Sequence, residues 1–231
     1  MLSHSAANVE ARNTFGKSAC PALPIDQFGE VMGRASLVAT AFRYQKDEEI
    51  FGEDETTEYV YQVVRGAVRS YRLLSDGRRQ IASFHLAGDI FGLEYGAKHR
   101  LTAEALIETD VRLIRRRALE AAAQLDVQVA RSLWNVTSGE LRHAEDHMLL
   151  LGCKTAIERV AAFLLEMDRR LVAAALIALP MCRRDIGDYL GLQLETVSRA
   201  LSQLHDQGVV DFSNARQIVI RNRQRLCDLN S

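Results

Sequence analysis

The chain has 231 residues, 48% of them apolar, and a formal net charge of −1, which allows one large or two modest domains with a proper core. The longest apolar run, Leu171 to Leu179, stops at Pro180 and falls well short of the roughly 20 residues that cross a bilayer, so no membrane role is expected. The four cysteines (Cys20, Cys153, Cys182, Cys227) form no C-x-x-C pair, which argues against a zinc ribbon, a thioredoxin-type site or a disulfide framework.

Residues 1–24 are polar and without periodicity, and read as a loosely ordered tail. They carry His4, Asn8, Glu10 and Arg12 rather than an apolar signal core, so a cytoplasmic location is expected. From about Leu37 to Leu119 the pattern becomes short alternating segments broken by turns. Val60-Tyr-Gln-Val-Val64 precedes Gly66, and Ala67-Val-Arg-Ser-Tyr-Arg-Leu73 precedes Ser75-Asp-Gly77. Gln80-Ile-Ala-Ser-Phe84 and Val111-Arg-Leu-Ile114 continue the series. Strands at this spacing predict an all-β sandwich or barrel over residues 25–124. Glu53-Asp-Glu55 and Glu58 form an acidic patch assigned to a β-hairpin.

Helical character returns after Arg116, and a long helix is predicted over 125–153. Trp134, Thr137, Leu141, Ala144, Met148 and Leu151 recur at alternating spacings of three and four, a heptad-like seam suited to packing against a second copy. The competing use of such a helix is packing on its own β domain. His143 and His147 stand at i and i+4, a spacing that can grip a metal. With no third ligand evident, a solvated helix face is the expectation, and no metal or cofactor is assigned.

The last region, 154–231, opens with an amphipathic helix from Thr155 to about Arg169. It continues into Arg183-Arg-Asp-Ile-Gly-Asp-Tyr-Leu-Gly-Leu-Gln-Leu-Glu-Thr-Val-Ser-Arg-Ala-Leu-Ser-Gln-Leu204. Ile186 and Leu190 make an apolar stripe on one short helix, and Val197, Leu201 and Leu204 on the next. Gly187 permits close approach of the two helices, and Gly191 can take the positive φ of a sharp turn. Glu195, Ser198 and Arg199 share the opposite face of the second helix. Such a face suits base edges in a major groove, where Arg donates twice to guanine and Glu accepts from the cytosine amino group. Val209-Val-Asp-Phe212 and Ile218-Val-Ile220, joined by Ser213-Asn-Ala-Arg216, read as a two-stranded wing. The prediction is a winged helix-turn-helix binding double-stranded DNA, with Arg183, Arg184, Thr196 and Arg216 as candidate phosphate contacts. A helical hairpin with a merely solvated charged face is the plain alternative.

This α+β order (β-roll, long dimerisation helix, winged helix-turn-helix) resembles the CRP/FNR superfamily of bacterial transcription regulators. Two motifs carry the likeness, Gly88-Asp-Ile-Phe-Gly92 and Leu194-Glu-Thr-Val-Ser-Arg199, and the second is similar to the FNR and FixK branch. The resemblance implies a cyclic-nucleotide-binding-like β-roll, a homodimer, and base contacts from Glu195, Ser198 and Arg199 with Leu194 near a thymine methyl. It also implies palindromic TTGAT-like half-sites and recruitment of RNA polymerase, which the acidic patch and Ser75 to Arg78 would touch. FNR proteins hold an iron–sulfur cluster on a tight N-terminal cysteine group, whereas this chain has only Cys20 there. CRP-type proteins hold cyclic AMP through Gly-Glu-Leu and Arg-Ser/Thr-Ala, whereas Gly92-Leu-Glu94 and Arg100-Leu-Thr-Ala103 depart from both. The expectation is a β-roll kept as scaffold without nucleotide, in a FixK-like activator of low-oxygen or nitrogen-fixation genes. An effector-gated relative, taking a nucleotide, haem or other small molecule in the β-roll, is the alternative.

Cys182 directly precedes the first helix of the hairpin and is followed by Arg183 and Arg184. A helix N-terminus and neighbouring guanidinium groups favour thiolate, so this sulfur is expected to respond to oxidants, against the plainer role of a small capping residue. Neither G-x-x-x-x-G-K nor G-x-S-x-G occurs, and no enzyme is predicted.

Overall fold

The computed structural model describes residues 39–94, 96–171, 176–214 and 216–230; the 1–24 tail and Cys20 lie outside the described residues. The described residues divide into two compact units, one within Met1–Arg72 and Ser83–Leu141, the other within Leu73–Ala82 and Arg142–Ser231.

In the first unit, strands β1 (Ala39–Tyr44), β8 (Thr109–Arg115), β3 (Tyr59–Arg65) and β6 (Ile90–Phe91) form one sheet in that order. Strands β2 (Glu49–Phe51), β7 (Thr102–Ala105), β4 (Ala67–Leu73) and β5 (Arg79–Leu86) form the other. Period-two alternation turns Tyr61 and Val63, Val111 and Leu113, and Ala103 and Ala105 into one core with Phe51, Val68 and Phe91. Because β2 and β3 lie in different sheets, the acidic segment between them is a crossover connection and not the hairpin that its sequence suggested. There Glu53 pairs with Arg72 at 2.7 Å. The opposite face of β3 and β8, with Val60 and Ile114, is covered by Leu119 and Ala122 of helix α1 (Arg116–Leu125) and by Val129 of helix α2 (Val127–Cys153).

Helix α2 has two apolar faces. Val129, Leu133 and Val136 pack on the β domain, while Trp134, Leu141 and Met148 remain 74%, 60% and 66% exposed. Packing on the β domain therefore describes one face of this helix, and the other face is exposed.

The second unit holds α3 (Ala156–Arg170), α4 (Arg183–Leu190), α5 (Leu194–Asp206), α6 (Arg223–Asn230) and a sheet of β10 (Val210–Asn214), β11 (Gln217–Ile220) and β9 (Leu176–Ala178) in that order. Thr155 and Glu158 form a capping box that starts α3. Val160, Phe163, Leu164 and Met167 then recur at helical spacing on its buried face. The wing has three strands rather than the expected two, because Leu176–Ala178 adds to β11 with Ile218 opposite Ile177. No helix among the described residues is long and apolar enough to cross a membrane.

Candidate nucleic-acid interface

The turn between α4 and α5 rests on two glycines. Gly191 caps α4 at φ 64 and ψ 35, a left-handed conformation in which a Cβ meets the following carbonyl. At Gly187 a Cβ would stand 2.6 Å from the Leu192 carbonyl oxygen. Helix α5 accordingly lies with Val197, Ala200, Leu201 and Leu204 buried. Leu194, Glu195 and Arg199 are exposed, and Ser198 is half-buried. Ser198, Arg199, Ser202, Gln203, Asp206 and Gln207 line a shallow groove of about 480 Å³. Arg199 reaches Thr196 Oγ1 only at 3.5 Å, too long to hold its guanidinium firmly. Arg184 and Arg216 are exposed.

Arg183, expected to face a phosphate, is half-buried. Its Nη1 donates to Ser198 Oγ at 3.4 Å, and its guanidinium carbon lies 5.8 Å from the centre of the Phe212 ring. The Cys182 side chain is exposed at the N-cap of α4. Both its backbone N–H and its Sγ–H donate to Asp185 Oδ2 at 3.0 Å, so the sulfur faces a carboxylate as well as the helix N-terminus. Asp185 is itself buried and accepts at Oδ1 from Arg79 Nη2 at 2.6 Å, while Arg79 Nε donates to Asp188 at 2.9 Å.

The mounting of the hairpin depends on a residue the sequence reading passed over. Arg159 donates through Nε to Lys154 O at 2.9 Å, through Nη2 to Leu151 O at 2.8 Å and through Nη1 to Leu190 O at 3.0 Å. One guanidinium thus satisfies C-terminal carbonyls of α2 and α4 that have no partner within their own helices. The signal available in the sequence was a single arginine directly after the Thr155–Glu158 capping box. Of the seam residues, Leu151 is half-buried, and its Cδ2 lies 3.4 Å from the Cβ position of Gly191; Ala144 is exposed.

The solvated face expected for His143 and His147 is corrected by the structure. Both rings are half-buried; His147 stacks on Tyr189 at 4.1 Å and donates through Nε2 to the Tyr189 carbonyl at 2.9 Å. Tyr189 O–H donates to Glu166 Oε2 at 3.3 Å and lies 3.4 Å from His143 Nε2. Burial lowers the tendency of His147 to protonate, and His143 adds to the effect. Among the described residues no group of three His, Cys, Asp or Glu could hold a metal.

In the β-roll, Glu94 turns onto its own loop. Its Oε2 accepts from the Arg100 amide at 2.8 Å and lies 3.4 Å from His99 Nδ1. Burial would raise the Glu94 carboxyl, but hydrogen bonding to His99 and the Arg100 amide outweighs it and holds the group below its ordinary value. His99 is buried and stacks on Phe51 at 3.7 Å.

Comparison with known proteins decides the family. The Crp-like helix-turn-helix domain matches residues 158–229, and the cyclic nucleotide-binding domain matches residues 41–126. The chain is 44% identical over 201 residues to the nitrogen fixation regulation protein FixK of Azorhizobium caulinodans, covering 85% of this chain and 81% of that one. The chain belongs to the CRP/FNR family of transcription regulators. Within that family it is FixK-like. The FixK of Rhizobium meliloti is 40% identical over 198 residues, 86% of this chain and 89% of its own. The solved structure of FixK2 from Bradyrhizobium japonicum is 74% identical with a TM-score of 0.82, covering 84% of this chain and 98% of that one. The β-roll, helices and helix-turn-helix described above are the architecture of this family.

Proposed function

We propose that this FixK-like regulator acts as a homodimeric transcriptional activator, setting α5 in the major groove of palindromic TTGAT-like half-sites. The observation that carries the reading is the division of α5, with Val197, Ala200, Leu201 and Leu204 buried and Glu195 and Arg199 turned outward. In this reading Arg199 donates twice to guanine, Glu195 accepts from a cytosine amino group, Ser198 adds a hydroxyl, and Leu194 meets a thymine methyl. Thr196, Arg184 and Arg216 are the candidate phosphate contacts, and the uncovered stripe of Trp134, Leu141 and Met148, with Ala144 and Leu151, is the proposed dimer seam. The names of the FixK relatives support nitrogen-fixation gene control, low-oxygen control is part of the same proposal, and RNA polymerase is the proposed partner of the Glu53 to Glu58 surface and of Ser75 to Arg78.

Selection of bound duplexes from a random pool tests this. The wild type should return two half-sites about one helical turn apart. Arg199→Ala should lose its choice at one base pair per half-site, a cost of about 1–3 kcal/mol each. Uniformly weaker binding with unchanged preference would contradict base reading.

The inward turn of Glu94 supports a β-roll that serves as scaffold without nucleotide or other cofactor. A second reading, an effector-gated protein taking a nucleotide, haem or other small molecule, draws on His99, whose buried ring has no hydrogen-bond partner at Nε2 among the described residues. Calorimetric titration with cyclic nucleotides separates the two. Oxidant control through Cys182 belongs to the first reading, since a sulfinate at the exposed N-cap would add negative charge where a phosphate must approach.

A further inference from the structure

Phe212 lies on β10 immediately before an irregularity in the wing: the β10–β11 register shifts between Phe212 and Asn214. Pairing resumes beyond it, with Asn214 opposite Gln217, and Leu179 N–H donates to the Arg216 carbonyl at 2.8 Å, so the sheet holds the tip within the wing. The bearing of the wing on α5 rests on contacts outside that ladder. The Phe212 ring lies near two side chains from different elements. The Arg183 guanidinium carbon, from the first turn of α4, stands 5.8 Å from its centre, within the range of cation–π attraction. The His205 ring, from the last turn of α5, stacks on it at 5.6 Å and 23°. Arg183 also donates to Ser198 on α5 at 3.4 Å. The next residue back, Asp211, bonds Arg221 at 3.0 Å, which ties the same strand to the residue that follows β11.

We propose that Arg183 and His205 clamp Phe212 and thereby fix the wing relative to α5, making Arg183 and Phe212 positioning residues for the operator contact. The inference rests on the DNA-reading role of α5 and reassigns Arg183, whose guanidinium lies over the Phe212 ring. A clamped wing presents Arg216 to a phosphate at a fixed distance from the bases that α5 reads. A released wing leaves base choice intact and weakens the phosphate contact.

The test uses the full-length protein and a duplex taken from the random-pool selection, with affinity followed by fluorescence anisotropy against salt. Removing one phosphate-contacting cation per subunit removes two per dimer, and should reduce the slope of log affinity on log salt by about 1.8. Phe212→Leu keeps apolar bulk but removes the aromatic face. It should flatten the slope by about as much as Arg216→Ala, leave the preferred bases unchanged, and add little when combined with Arg216→Ala. Phe212→Tyr should restore the wild-type slope. Phe212→Ala gives the same reading wherever its melting temperature matches that of Phe212→Leu. A wild-type slope in Phe212→Leu, or losses that multiply independently with those of Arg216→Ala, overturns the clamp. Failure of the DNA-reading assignment shows separately, as unchanged base preference in Arg199→Ala.

Discussion

Replacing Arg159 with Met tests how the helix-turn-helix is mounted. Met keeps most of the apolar stem, so the change mainly deletes three donors. Their acceptors are the Leu151, Lys154 and Leu190 carbonyls, at 2.8, 2.9 and 3.0 Å respectively. A hydrogen bond to a charged donor is worth about 1.5–3 kcal/mol net. Arg159 is half-buried, so water can replace part of each bond, which points to about 1 kcal/mol apiece and about 3 kcal/mol in all. For a chain of this length that corresponds to a fall of roughly 6–12 °C in melting temperature. Thermal unfolding followed by far-ultraviolet circular dichroism gives the number. Arg159→Lys, which keeps the charge but cannot reach three carbonyls in one plane, should recover only a fraction. A melting temperature within about 2 °C of wild type for Arg159→Met, on the same scale, would show that these carbonyls do not need the guanidinium.

Gly187→Ala should cost about 1–3 kcal/mol, because the new Cβ would stand 2.6 Å from a backbone oxygen rather than a yielding side chain; chemical denaturation that leaves the midpoint unmoved refutes the close approach. Gly191→Ala, at φ 64, should cost about 1–2 kcal/mol through left-handed strain alone, with operator binding retained by the folded fraction. His147 is held neutral mainly by burial, so its folded value lies below the ordinary 6.5. The unfolded ring therefore takes up a proton first, and stability should fall as pH drops below about 6.5 until the folded ring also protonates. In His147→Phe, which keeps the stack on Tyr189, that part of the slope should vanish from urea midpoints measured across pH. Peroxide should abolish operator binding of the wild type and spare Cys182→Ala; equal loss in both proteins would remove the thiol from the proposed control.

The elements legible from sequence were those whose evidence lies within one turn or one strand. Apolar residues spaced by three and four placed α3 to within a residue or two and marked the buried face of α5, and Gly187 and Gly191 marked the interhelical turn because backbone sterics act locally. Strands of seven or eight residues such as β3, β4 and β5 showed their alternation. The two-residue β6 and three-residue β9 are too short to display a period, and α6 buries only Leu226, which leaves little amphipathic pattern to read.

Periodicity thus determined the order of regions (strands, long helix, helical hairpin), the outward face of α5 and the existence of a wing. Tertiary structure decided which side chains are spent internally. Arg79 and Asp185 are 106 residues apart in sequence, and Arg183 meets Phe212 only because α4 and β10 both pack against α5. His143 and His147 looked like a solvated pair until Tyr189 was brought against them. Local pattern reports which face of a helix is apolar, because burial selects for it at a fixed period. Pairing between distant polar groups leaves no such period, and only the folded chain brings their partners within reach.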